Sequence, residues 1–166
     1  MKDIEQAKPC ILVSRCLLGE CCRYDGASRP HVGVQRLCDH YTLIPVCPEC
    51  DGGLPVPRPP AERQGERVVN CHGVDVTAQY EAGAYHAVSL AKEHGAICAI
   101  LKLRSPACGR GRIYDGTFTG TLVDGDGVAA EALLQQGIPV YGEDVVSTDG
   151  VLLLEPFLRE GGNQLV

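Results

Sequence analysis

No Lys/Arg-rich run occurs anywhere in the 166 residues, and the formal net charge is −6. A protein that grips the nucleic-acid backbone presents a basic surface, so nucleic acid is an unfavoured partner. Long hydrophobic runs are missing too. Stretches such as "GAICAIL" at residues 95–101 are far too short to span a bilayer, so no membrane partner is expected. The first residues, "MKDIEQAKP", carry charges of both signs and no apolar stretch, which predicts no secretory signal. The five histidines show no paired metal-ligand spacing, and no internal repeat or long linker is visible. Together these absences predict a cytoplasmic chain that forms one domain over residues 1–166. They leave its oligomeric state open.

The composition is that of a soluble globular protein, 45% hydrophobic and 22% charged. A chain of this length buries roughly 70% of its unfolded surface. Its ten cysteines are the unusual feature. They fall short of the roughly 8–10% that marks small disulfide scaffolds, and a chain with a core needs no such staples. In a reducing compartment a set of thiols points instead to a metal site or to catalysis. Cys98, inside an apolar run, reads as a plain core residue.

Along the chain, strand and helix patterns alternate. This predicts an α/β fold: a single compact domain with a mostly parallel, Rossmann-like sheet flanked by helices. Strands are expected at residues 10–15, 41–46 and 96–103, with a further one at "IPVYG". The clearest helix is "TAQYEAGAYHAVSLAKEHG". There Tyr80, Ala84, Ala87, Val88 and Ala91 share one face, Gly95 is the stop and His94 lies at the C-terminal end. A second helix lies between Gly127 and Gly137, and a short one near residues 34–40. Residues 51–67, rich in Gly, Pro and charge, read as extended loop, as does "RSPACGRGRIYDG". The segment "VLLLEPFLREGG" is apolar but broken by Pro156 and receives no assignment.

Three of the expected strands run into cysteines: the first ends at Cys16, the second at Cys47, and the third leads to Cys108. Ligands of open α/β sheets bind beyond the carboxyl ends of parallel strands. If these strands are neighbours, three distant thiols meet in one place. Thiolates suit zinc, copper(I) or iron–sulfur clusters. Structural zinc usually takes paired short spacings, and only Cys47–Cys50 offers one. A [4Fe–4S] cluster normally takes four cysteines, so three would leave one iron open to a substrate. Two alternatives stay open here: a zinc or electron-transfer module, and a Cys47-Pro-Glu-Cys50 dithiol. Against the dithiol, Gly52, Gly53 and Pro55 follow where a redox pair would start a helix.

The motifs "ILVSRCLLG", "RYDG", "VCPE" with "GGLPVPRPPAE", "DVT", "ILKLRSPACG" and "IYDGTFTGTL" span residues 11–141. In them the chain resembles the thiouracil desulfidase-like family, once catalogued only as a bacterial domain of unknown function. The resemblance implies a [4Fe–4S] cluster with one iron not bound by protein, held by Cys16, Cys47 and Cys108. It implies non-redox removal of sulfur from a small thiolated pyrimidine base, giving the oxo base and hydrogen sulfide. Glu49 and Ser105 would be the catalytic helpers beside the cluster. Cys50, Cys21 and Cys22 are additional thiols that could supply a further ligand.

In that reading Glu49 manages protons, its pKa raised by apolar surroundings; the plainer account is a solvated loop carboxylate or helix cap. Ser105 would orient water or the substrate oxygen, or simply form a turn before Pro106. The proline-rich segment would be a preset wall of the pocket, with Arg58 contacting a base carbonyl or forming a surface ion pair. Asp25 and Tyr24 of "RYDG" are expected near the pocket, although Asp-Gly is also an ordinary turn.

Overall fold

The computed structural model describes residues 7–154. The charged stretch at residues 1–6 and the segment after residue 154, Pro156 included, lie outside the described residues. Four strands, β1 (Cys10–Ser14), β2 (Thr42–Val46), β5 (Cys98–Leu101) and β8 (Val140–Gly142), form a parallel sheet in the order β2-β1-β5-β8. The first, β1, pairs with both β2 and β5, so the two strands that lead toward Cys47 and Cys108 flank the one that leads to Cys16. Pro45 is tolerated because β2 is an edge strand, where a missing N–H leaves no ladder bond unmade.

Two apolar layers cover the sheet. On one face, Leu12, Ala99 and Leu101 pack with the helices α3 (Thr77–His94) and α4 (Val128–Gln135). On the other face, Ile11, Val13, Cys98 and Ile100 pack with Leu17, Val34 and Leu37, the last two from the short helix α1 (Val32–Arg36) and the 3-10 turn Leu37–Asp39. Cys98 is fully buried, and that burial pushes its thiol up to about 12, as befits a core residue. Alternate residues of β1 and β5 serve opposite layers, which is why these strands read as continuous apolar runs. The long helix α3 buries Tyr80, Ala84, Ala87 and Ala91, and Val88 packs at the margin. It ends where Gly95 takes φ +62, a left-handed cap that glycine adopts without strain.

Two antiparallel hairpins stand outside the sheet; the first strand of each falls where a loop was expected, and the second in sequence that received no strand assignment. The first pairs β3 (Ala61–Gln64) with β4 (Arg67–Asn70); the second pairs β6 (Arg112–Tyr114) with β7 (Leu122–Asp124). A four-residue helix, α2 (Pro48–Asp51), also replaces expected loop. Cys47 is its N-cap, so a helix does start at this cysteine, contrary to the expectation from Gly52, Gly53 and Pro55.

The position of α2 is fixed by backbone contact with α3. A Cβ added at Gly83 would sit 1.8 Å from the Pro48 carbonyl oxygen, and one at Gly52 would sit 1.9 Å from that of Gln79. Backbone cannot yield as a flexible side chain does. We expect Gly83→Ala to destabilise the fold by about 3 kcal/mol, at the upper end for overpacking. For a domain of this size that lowers the melting temperature by roughly 6–12 °C, which thermal denaturation would read.

Candidate active site

Beyond the carboxyl ends of β1, β2 and β5 lies a cavity of about 640 Å³. Cys16, Cys47 and Cys108 all line it, and each is at most 8% exposed. The expected convergence of three distant thiols is therefore present. Cys16 lies in the 3-10 turn Arg15–Leu18 that follows β1, and Cys47 sits between β2 and α2. Cys108 closes the loop after β5. In that loop the Ser105 hydroxyl oxygen accepts the N–H groups of Ala107 and Cys108, each at 3.1 Å. Ser105 thus shapes the turn, as its plainer reading held, and it also bonds the Cys108 thiol. Burial pushes that thiol up, against hydrogen bonds from Ser14 and Ser105 that favour its thiolate.

A fourth thiol stands on the same wall. Cys22 is buried, lines the cavity and is hydrogen-bonded to the thiols of Cys16 and Cys47. The bond to Cys16, with burial, pushes Cys22 up to about 11, although Cys47 opposes the rise. Its bond to Cys22, followed by burial, pushes Cys47 up as well. Cys50 is turned toward Arg58, whose Nη1 approaches its Sγ at 3.7 Å, and Cys21 is exposed. Of the three additional cysteines, only Cys22 therefore joins the cavity wall.

Glu49, also on the wall, is gripped from two sides. Arg58 donates from Nη2 to Oε2 at 3.2 Å, and the Tyr80 hydroxyl donates to Oε1. The apolar surroundings expected for this carboxylate are thus a guanidinium and a phenol. Burial of Tyr80 beside the Glu49 charge pushes its phenol far up, so it remains a proton donor. Arg58 is 7% exposed and also donates to the carbonyls of Pro55 and Cys22. Burial works against its charge, but Glu49 and the thiols of Cys50 and Cys47 outweigh that and hold its pKa above the ordinary value. Its guanidinium is committed to Glu49 and the surrounding loops, not displayed on the surface.

Asp25 is off the cavity wall. Its carboxylate accepts the Ala27 N–H at 3.0 Å in a turn, and that bond, aided by Arg23, holds its pKa below the usual range. Tyr24 does line the cavity. Sequence reasoning missed Ser14 and the Tyr80 hydroxyl. Tyr80 was legible only as a helix-face residue, because its partner is 31 positions away.

The cavity is basic in an acidic chain. Arg15, Arg23, Arg29, Arg58, Lys102 and Arg104 line it, against the two carboxylates Glu49 and Glu62. Arg29 and Arg104 have no carboxylate partner among the described residues, whereas Arg15, Arg23, Arg58 and Lys102 are each paired. No three His, Cys, Asp or Glu side chains among the described residues converge closely enough for a single metal ion. No helix among them is long and apolar enough to cross a membrane.

A family model described as 2-thiouracil desulfurase matches residues 11–145. The uncharacterized protein YbbK of Bacillus subtilis (strain 168) is 41% identical over 144 residues, covering 81% of this chain and 95% of the relative. A solved structure of the [4Fe-4S]-dependent thiouracil desulfidase TudS superposes with a TM-score of 0.82. It is 42% identical, with 95% of this chain and 100% of that one covered. The family model spans most of the chain and the similar proteins are more than 40% identical over most of its length, so the chain belongs to the 2-thiouracil desulfurase family.

Proposed function

We propose that the chain is a [4Fe–4S]-dependent desulfidase acting on a thiolated pyrimidine such as 2-thiouracil, with Cys16, Cys47 and Cys108 as the cluster ligands. One observation carries this: three buried thiols from three separate strand ends line one cavity together with a held carboxylate. The donor set fits the group. The ligands are soft, they do not converge on a single-ion site, and the surrounding cations offset the negative charge that thiolates bring. When bound, the cluster supplies a soft Lewis acid for the thiocarbonyl sulfur.

The residues of the chain do the rest. The reaction exchanges sulfur for the oxygen of water, giving the oxo base and hydrogen sulfide with no net electron transfer, so the protein must move protons. Glu49, fixed by Arg58 and Tyr80, takes the proton from the attacking water and returns it to the departing sulfur. Ser105, whose oxygen already accepts two backbone amides, has its hydroxyl proton to give toward the thiols or the substrate oxygen. The basic lining favours a substrate that carries negative charge.

Protein purified without air tests the proposal. It should hold about four irons per chain, as the cluster formula requires, and release sulfide from 2-thiouracil. Zinc in place of iron, or a metal-free protein that cycles between dithiol and disulfide, would sink it. Within this reading Tyr80→Phe keeps its iron, loses about 1 kcal/mol of stability with the deleted hydrogen bond, and turns over more slowly. Iron content, a melting curve and sulfide release measure all three.

A further inference from the structure

Among the described residues only two that are not glycine adopt a left-handed backbone, Arg104 at φ +69 and Phe118 at φ +58. Both line the cavity. A bulky aromatic residue at positive φ is a genuine outlier and persists only where its surroundings over-determine it. Around Phe118 they do. The Glu62 carboxylate, from β3, accepts the N–H groups of Gly116 at 3.0 Å and Phe118 at 3.1 Å. Asp115 Oδ1 accepts the N–H of Thr117 at 2.9 Å and its hydroxyl at 2.6 Å. The hydroxyls of Thr117, Thr119 and Thr121 run in a chain at 2.6 and 2.9 Å.

All this pinning does not serve the hydrophobic core. The Phe118 side chain belongs to neither hydrophobic layer and is 38% exposed. A flat apolar ring is thus presented by a pinned loop to a cavity whose lining also carries six cations and the rings of Tyr24 and Tyr114. Of the tyrosines on the same wall, Tyr24 already has the Arg23 guanidinium 5.5 Å from its ring centroid. A planar heteroaromatic ring is the ligand that such a surface suits, because base-on-aromatic stacking needs a fixed open face and no particular hydrogen-bond pattern.

We propose that Phe118 recognises the substrate ring, stacking on the pyrimidine and thereby selecting ring thioamides over other thiocarbonyls. This rests on the desulfidase reading above. Uracil separates the two, since it has the ring but no sulfur for iron. Phe118→Ala, Phe118→Tyr and Phe118→Leu holoenzymes would be compared for iron content, for KM and kcat with 2-thiouracil, and for uracil affinity by calorimetry.

Removal of the ring should raise KM and weaken uracil binding by about 10- to 100-fold, with kcat little changed. Tyr should restore both, and Leu, similar in bulk but not planar, should not. Uracil affinity unchanged in the Ala variant, or fully restored by Leu, would overturn the proposal. If the Ala variant fails to fold, the Tyr and Leu pair decides. Wild-type protein that binds uracil through Phe118 but releases no sulfide would overturn the desulfidase reading and leave ring recognition standing.

Discussion

Replacing Cys16, Cys47 or Cys108 singly by Ala is expected to abolish cluster assembly, and the iron content of protein purified without air should fall to background. Each thiol comes from a different strand end, so the loss of one leaves the two remaining ligands at separate corners, with no neighbour on the same loop to step in for Cys108. Two thiolates do not hold a cluster that normally takes four. Cys98→Ala, in the core and away from the cavity, should keep its iron and lose only some stability. The informative case is Cys47, because Cys22 is hydrogen-bonded to it. A Cys47→Ala variant with a full cluster would mean that Cys22 or Cys50 is the ligand, and whichever of Cys22→Ala and Cys50→Ala then loses iron identifies it. In the arrangement proposed here Cys22→Ala keeps it.

Glu49→Gln should retain the cluster and its visible spectrum while losing about 10²–10⁴-fold in turnover, the usual contribution of a general acid–base group. The amide preserves the shape and still accepts from Tyr80, but it carries no exchangeable acid proton. It also removes the charge that answers Arg58, whose side chain is only 3% exposed. Leaving a buried cation unpaired is destabilising, so a melting curve belongs beside the rate measurement to separate lost chemistry from lost structure. Sulfide release at the wild-type rate would remove Glu49 from the mechanism.

Much of this was legible in the sequence because the sheet is parallel. The buried strands β1 and β5 and the edge strand β2 all read as short apolar runs, and the thiols follow them, Cys16 and Cys47 at once and Cys108 seven residues on. The α3 helix announced itself through the spacing from Tyr80 to Ala91 and through Gly95. The two hairpins were not legible. The β3 strand, "AERQ", carries charge where an apolar alternation would have marked it, and β6 and β7 have three residues each. The glycine turn at Gly65 was the available signal, since a two-residue turn with φ +63 joins β3 to β4. The grip on Glu49 was hidden for another reason: a tyrosine on an apolar helix face looks like core, and only the tertiary fold shows where its hydroxyl ends.

The contact of Gly83 with Pro48 has a meaning for the history of each molecule. Because α2 lies backbone to backbone on α3, Glu49 and Cys47 reach their places only after the ribosome has released a helix that ends at His94. Cys108 follows later still. No nascent fragment that stops short of Cys108 can therefore receive iron in the arrangement proposed here. Whatever machinery delivers iron and sulfide must meet a chain already made past Cys108, and the form exposed to proteases in the interval is the one without its cofactor. Since a ligand that binds only the folded state deepens its stability by mass action, cellular abundance should track iron supply, and starved cells should lose the protein itself along with its activity.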